Sequence, residues 1–390
     1  MAAGTQDLAR NGPLAGLRVV EFAGIGPAPF CGMLLADLGA QVLRLDRIEP
    51  SGLGIPRPPQ FDLLQRGKRS MRLDVKGQAG LVLARSIVTR ADALIEGFRP
   101  GTMERLGLGP DVCLADNPKL IYGRMTGFGQ EGPLAHAAGH DLNYLALTGA
   151  LYAIGREGGP PTPPLNLVAD YGGGGLMLAF GMVSAVLHAR ATGQGQVVDA
   201  SMVDGVGALM TPLHGLIAAG LHTGPRGTNL LDSGAPFYDV YRCADGEYVS
   251  LAPIEAKFQL VFRKKLAAAG VDALDLPAFD DQANWPRLRG RLTAIFETRT
   301  RAQWCEILEG SDSCFAPVLS PTEAPRHPHS AARRNFIEIA GVVQPAPAPR
   351  FSATVSDLPE PPGQDGGEEW AAAWGVPRGE LTGCGYDLKT

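Results

Sequence analysis

The stretch "LRVVEFAGIGPAPFCGMLLADLGAQVLRL", residues 17–45, decides the fold. Its first six residues, Leu17–Phe22, form a short apolar run of strand length, closed by a Gly/Pro turn (AGIGPAPF). The turn leads into an apolar helix that reaches Leu38, and Gln41–Leu45 is a second strand. A strand–helix–strand unit of this length is the crossover that joins two parallel strands. The same rhythm continues along the chain. Ser70–Val75 predicts a strand, Gln78–Thr89 a helix, and Ala93–Gly97 and Leu120–Met125 two further strands. Alternation of this kind specifies a doubly wound α/β domain with a parallel sheet.

Further on, helices are predicted over 141–152 and 172–190, with GQGQ breaking the chain after the second. Gln196–Val198 then reads as a short strand, and Asp199 as the start of a helix running past Met210. Composition changes near Gly224, where Pro225–Gly234 is polar and rich in glycine. The following FYDVYRCADGEYVSLAPI predicts a β-hairpin turning at Ala244–Gly246, and helices are expected at Ala256–Ala268 and Arg301–Leu308. The expected division is a large domain over 14–224, a smaller α+β domain over 225–325, and a C-terminal segment over 326–390 that returns to the large domain. Residues 1–13 read as a loose tail, and the Pro/Ala-rich 341–349 and 359–363 as extended surface segments.

Bulk properties exclude several classes. The chain of 390 residues carries a net charge of −5 and a pI near 5.8, so no basic surplus exists to neutralise nucleic-acid phosphates. The six cysteines, at 31, 113, 243, 305, 314 and 384, show neither a CxxC pair nor metal-ligand spacing to histidines, which predicts free thiols, no metal site and a cytoplasmic setting. No secretory h-region and no charge-free apolar run of about 18 residues is present, so neither a leader nor a membrane span is expected.

Three residues carry candidate chemistry. His140 precedes Asp141 at the start of a predicted helix, where Asp141 is suited to cap the helix and His140 reads either as a packing residue or as a base. Asp170 stands just before Gly172–Gly175; the acid reads either as a plain helix cap or as a reactive carboxylate, with glycine N–H groups offering close approach to a substrate oxygen. Glu255 follows the predicted hairpin as a helix-start acid. The turn Gly24-Ile-Gly26 begins a dinucleotide fingerprint but has Pro29 in the third glycine position, which argues against NAD. Basic residues nevertheless gather at predicted strand ends: Arg47, Lys68, Arg69, Arg72, Lys76, Arg99 and Arg105. As a set they suit a ligand with several phosphates, and singly each also reads as a solvated surface charge.

Seven motifs, in this order, extend the reading: LAGLRVVEFAGIGPAPF, ADLGAQVLRLDR, LIEGFRPGTMERLGLG, RMTGFGQEGP, AGHDLNY, GQVVDASMVDG and PRFS. Together they resemble the α-methylacyl-CoA racemases within the family III CoA-transferase (CaiB/BaiF) group, from about Leu14 to at least Ser352. The resemblance implies a Rossmann-like large domain, a small domain and an interlocked homodimer. It also implies coenzyme A as the anionic ligand, bound at Arg47, at Leu73, Asp74, Val75 and Lys76, at Gly97, Phe98 and Arg99, at Arg105, and at Gly139, His140, Asp141, Leu142, Asn143 and Tyr144. It places the catalytic pair on His140 and Asp170, with Glu255 supporting the histidine. The implied reaction inverts the α-carbon of a 2-methylacyl-CoA thioester by two-base proton transfer through an enolate, with no cofactor beyond the thioester substrate and with no nucleic-acid or membrane partner. Backbone N–H groups of Gly172–Gly175 or near Asp170 are the candidate holders of the enolate oxygen. The alternative is CoA transfer between carboxylic acids with Asp170 as nucleophile, a chemistry that needs no proton donor facing it. A third reading, non-catalytic acyl-CoA binding, needs only the basic residues. The acyl group is left open.

Overall fold

The computed structural model describes residues 10–49, 51–273 and 276–386. The chain divides into two compact units. One holds the described residues of Met1–Thr148, Leu165–Leu209 and Arg334–Thr390; the other holds those of Gly149–Pro164 and Met210–Arg333. This differs from the expected boundaries, because 149–164 and 210–224 belong with the second unit, and the return to the first begins at Arg334 rather than at 326. The sequence marked the composition change at Gly224, but chain entry into the second unit comes earlier, at Gly149, whose positive φ of 81° ends the preceding helix.

The first unit begins with β1 (Arg18–Phe22), α1 (Pro27–Asp37), β2 (Gln41–Asp46), β3 (Arg69–Arg72), α2 (Gln78–Thr89), β4 (Ala93–Glu96), α3 (Thr102–Arg105), α4 (Pro110–Asp116), β5 (Ile121–Thr126) and α5 (Asp141–Leu147). After α6 (Ala150–Ala153) in the second unit, the first unit resumes with a π-helical segment, Leu167–Leu176, followed by α7 (Met177–Thr192), β6 (Gln196–Ser201) and α8 (Met202–Leu209). The six strands form one parallel sheet in the order β3-β2-β1-β4-β5-β6. That is the order of a dinucleotide-type doubly wound sheet, with its switch point between β1 and β4. The strands are legible because both faces are covered: Val19, Val20, Leu43, Leu94, Ile95, Ile121 and Tyr122 are fully buried, as a parallel sheet requires.

Two local expectations are corrected. The helix predicted to start at Asp199 starts at Met202, because residues 199–201 pair with β5 as the end of β6, and the Ser201 hydroxyl then accepts the Asp204 N–H at 3.2 Å. The run over 141–152 is two helices interrupted at Thr148–Gly149, and of its leucines Leu145 is buried while Leu142 and Leu147 are exposed. Leu167–Thr192 is a continuous helical run long and apolar enough to cross a membrane by length and composition, a length no charge-free apolar stretch had predicted. Its Leu178, Ala179, Met182, Ala185 and Val186 are buried and α7 lies against β5 and β6, so here it is a covering helix of the sheet.

The second unit continues with α9 (Thr211–Ala218), β7 (Asp239–Arg242), β8 (Tyr248–Leu251), α10 (Ala256–Ala268), α11 (Trp285–Phe296), α12 (Arg301–Leu308), β9 (Phe315–Pro317) and α13 (Pro328–Arg333). The predicted hairpin forms: β7 and β8 pair antiparallel, with β9 on the far side of β8. Helices α10 and α12 match the predicted bounds, and the core comprises Phe262, Leu266, Leu292, Phe296 and Trp304. The chain then rejoins the first unit with the hairpin β10 (Phe336–Ile339) and β11 (Val342–Pro345), so part of the Pro/Ala-rich segment is strand rather than surface coil. It ends in α14 (Gly367–Ala373) and α15 (Arg378–Gly383). There Trp370 and Trp374 enter the main core beside Leu43 and Met71, and the Trp374 indole donates to Gln41 Oε1 at 2.8 Å.

Candidate active site

In a parallel sheet every strand ends on the same side, so the loops after β1, β2, β3, β4 and β5 gather at one end. Those loops carry most of the residues singled out by sequence. Arg47 follows β2, is exposed, and lies with its guanidinium 5.5 Å from the Phe98 ring centre, a cation–π contact between the loops after β2 and β4. Leu73 is buried after β3; Asp74 and Lys76 are exposed, and the Lys76 N–H donates to Asp74 Oδ1 at 3.0 Å, fixing the turn. Gly97 and Arg99 are exposed after β4, and Arg105 on α3 donates to the Thr102 hydroxyl at 3.0 Å.

The loop after β4 is anchored from below. Glu96, fully buried, accepts the Phe98 N–H at 2.7 Å through one carboxylate oxygen and Arg124 Nε at 2.8 Å through the other. Arg124 also reaches Glu104 on α3, at 2.7 Å and 3.3 Å. Burial holds the Glu96 carboxyl above its ordinary range, against the lowering by the Phe98 N–H and Arg124. Neither Arg124 nor Glu104 was flagged by sequence. Each is an unremarkable charge until β4, β5 and α3 are brought side by side.

His140, exposed, is the N-cap residue of α5, and its N–H donates to Asn143 Oδ1 at 3.0 Å. The half-buried Asp170 lies in the π-helical segment, a backbone form that is rare and recurs at functional sites. Its Oδ2 accepts Asn166 Nδ2 at 3.1 Å and faces Gly26, where a Cβ would come within 3.4 Å of it. Gly26 has φ 69°, the left-handed region that glycine alone enters at little cost, so the turn after β1 is shaped to pass beside this carboxylate. Burial raises the Asp170 carboxyl above the usual range and the Asp141 charge adds to this, while the Asn166 hydrogen bond and His140 oppose it. The structure thus brings His140 and Asp170 into one electrostatic environment. Tyr144 is buried beneath them, edge-on to Phe128, with its hydroxyl donating to the Gly139 carbonyl, so it supports the loop.

Four expectations change. Asp141 does not cap its own helix, since His140 holds that position; the Asp141 carboxylate, buried, accepts the N–H groups of Ala169 and Asp170 at 2.9 and 2.8 Å. Those two N–H groups are therefore occupied. Three of the four glycines are closed off by packing: Gly173, Gly174 and Gly175 are buried, and a Cβ on them would press on Val206, on Met202 and Pro27, and on Phe30. They permit close packing of the π segment on α1 and α8. Finally, Lys68 and Arg69 leave the basic set. Lys68 is buried with Glu21 at 2.6 Å and also donates to the Pro29 carbonyl at 2.9 Å, and Arg69 pairs with Glu360 at 2.7 Å.

Glu255 belongs to the second unit, where it is the exposed N-cap residue of α10 and makes no side-chain cap hydrogen bond. Among the described residues, no group of three or more His, Cys, Asp or Glu is arranged to hold a metal ion.

Comparison with known proteins identifies the family. The model of CoA-transferase family III matches residues 14–365. The chain is 46% identical over 342 residues to the alpha-methylacyl-CoA racemase of Mus musculus, covering 87% of each. It is 44% identical over 337 residues to that of Homo sapiens, covering 86% of each. A crystal structure of a CAIB/BAIF family protein from Brucella suis superposes with a TM-score of 0.79 at 27% identity, over 95% of this chain and 100% of that one.

Proposed function

The chain belongs to CoA-transferase family III, and from that premise we propose that it inverts the α-carbon of 2-methylacyl-CoA thioesters, as an α-methylacyl-CoA racemase. The reading is supported by the tie between the two segments, in which Asp141, next to His140 in the chain, accepts the Asp170 N–H at 2.8 Å, in a chain this similar to two racemases. A thioester makes its α-hydrogen acidic, but not acidic enough to leave at neutral pH unaided. Inversion therefore needs one group to remove the proton and a second to return one to the opposite face. His140 and Asp170 fill these roles, and reversal of the reaction exchanges them. A carboxyl raised by burial suits both, because it accepts and returns a proton nearer to neutrality than an exposed aspartate does. Glu255 is proposed, from the resemblance alone, as the acid that supports the histidine.

Arg47, Lys76, Arg99 and Arg105 supply cations for the coenzyme's phosphates, and the loops at Leu73–Lys76, Gly97–Arg99 and Gly139–Tyr144 line its path. With the Ala169 and Asp170 N–H groups engaged by Asp141, those two donors are not open to the enolate oxygen. The scheme moves only protons and has no cofactor; the thioester is the substrate. Assembly as a homodimer is supported by an apolar stripe along one side of the helical run, Leu176, Phe180, Val183 and Leu187, which are 53%, 70%, 38% and 71% exposed. Sedimentation velocity tests this, and a monomer at micromolar concentration would refute it.

The activity is tested by incubating the enzyme with one epimer of a 2-methylacyl-CoA in D₂O. Epimerisation with deuterium entering at the α-carbon is expected, and Asp170→Asn removes it while coenzyme A affinity is retained. Transfer of CoA to a free acid without α-exchange would overturn the reading in favour of a transferase.

A further inference from the structure

We infer that Asp141 is the positioning residue of the active site: its carboxylate binds the backbone of the Asp170 segment and so locks the two proton-transfer groups into one unit. The proposal rests on the racemase reading of His140 and Asp170. Asp141 follows His140 directly in the chain and is 29 residues from Asp170, yet its Oδ2 accepts the N–H groups of Ala169 and Asp170 at 2.9 and 2.8 Å. These are N–H groups in the first turn of a π helix, which lack partners within the helix itself. A carboxylate at that end makes charge-assisted hydrogen bonds and meets the positive end of the helix dipole. Asp141 is therefore a cap, but of the helix that carries Asp170 rather than of its own. Because His140 is tied to the same peptide, its backbone and that of Asp170 move together.

The second consequence is electrostatic. Asp141 is 6% exposed, and its Oδ1 is buried with no hydrogen-bond partner, so its charge is only partly compensated. The groups acting on the Asp170 carboxyl are Asn166 from its own segment, and Asp141 and His140 from α5 and its cap. Tyr144, also on α5, feels Asp170 and is opposed by Arg99. α1 presents Gly26 at this point, which carries no charge. Among these, Asp141 is the one anion that favours a protonated Asp170.

Two variants separate the two effects. Asp141→Ala removes both hydrogen bonds. It is expected to lower kcat about 100-fold, the scale of a displacement of roughly 1 Å, with KM for the CoA thioester changed less than about threefold. Asp141→Asn keeps an oxygen that can accept the two N–H groups but removes the charge. It is expected to retain most of the activity while the acidic limb of the pH–rate bell, which belongs to the coupled His140–Asp170 pair, moves to lower pH with both epimers as substrate. Deuterium exchange at the substrate's α-carbon by the unaltered enzyme in D₂O is the reference. If that exchange is absent, the racemase reading fails and this proposal with it. If exchange is present and Asp141→Ala matches the unaltered enzyme, or Asp141→Asn leaves the acidic limb in place, the proposal alone is overturned.

Discussion

Gly173→Ala tests whether the glycine run exists for packing. Gly173 lies three residues after Asp170 in the π segment, against α8. A Cβ there would fall 2.7 Å from the Val206 nitrogen, 2.9 Å from Val206 Cγ2 and 3.1 Å from the Gly205 carbonyl carbon. Two of these three atoms are backbone, so rotamer change offers little relief. Reaching ordinary contact needs a separation of about 0.7 Å between the π segment and α8. Overpacking of this kind costs about 1–3 kcal/mol, against a gain of about 1 kcal/mol from replacing a helical glycine with alanine. The net expectation is a loss of up to about 2 kcal/mol, a fall in Tm of up to roughly 4 °C for a unit of this size. Because Asp170 rides on the same turn, a shift approaching 1 Å lowers kcat by about 10- to 100-fold, with KM little changed. The assay pairs a thermal melt with deuterium exchange at the α-carbon. Gly207→Ala is the control: it lies on α8 with nothing within 4 Å of the new Cβ, and is expected to be neutral or slightly stabilising. A Gly173→Ala enzyme with unaltered Tm and full kcat would refute the packing argument.

Two further outcomes follow from the buried charges. Lys68→Met leaves the fully buried Glu21 carboxylate without its ion-pair partner and costs about 3–5 kcal/mol, much of it recovered in Glu21→Leu/Lys68→Met, as urea unfolding will show. Burial already raises Glu21 and Lys68 opposes that rise, so without Lys68 the folded state holds its proton to higher pH than the unfolded chain does; the loss is therefore larger at about pH 8 than at about pH 5.5, and a pH-independent loss contradicts the assignment. Arg124→Met unties the loop after β4 from Glu96 and Glu104, and raises KM for the CoA thioester about tenfold with kcat nearly kept; an unchanged KM shows that the network does not hold that loop.

Much of the architecture is legible in the chain because it is written in local terms. Parallel strands covered on both faces are short apolar runs, and their crossover helices carry their own periodicity, as at Gln78–Thr89, which the structure reproduces residue for residue. Departures occur where a distant partner decides. Asp199 looks like a helix start, yet pairing with Arg124 keeps it in β6. Trp370 and Trp374 follow a Pro-rich stretch that reads as surface coil, and only the sheet's uncovered edge around β2 and β3 explains their burial.

The candidate site divides along the same line. The sequence alone determined which residues are chemically eligible: a histidine before a helix, an acid before glycines, and cations after strands. It also determined that they lie at the strand ends of a doubly wound parallel sheet, since alternating strands and helices join strands by crossovers. Only the tertiary structure decided what each one does there. Lys68 is a cation by sequence and a buried structural partner of Glu21 in the fold. The glycines are flexible donors by sequence, and packing surfaces once α1 and α8 close on them. Asp141 is a local cap by sequence, and the fold turns it onto a helix 29 residues away. The physical reason is common to all three: hydrogen bonding, burial and ion pairing act over a few ångströms, and which groups come within that range is set by long-range packing rather than by neighbours in the chain.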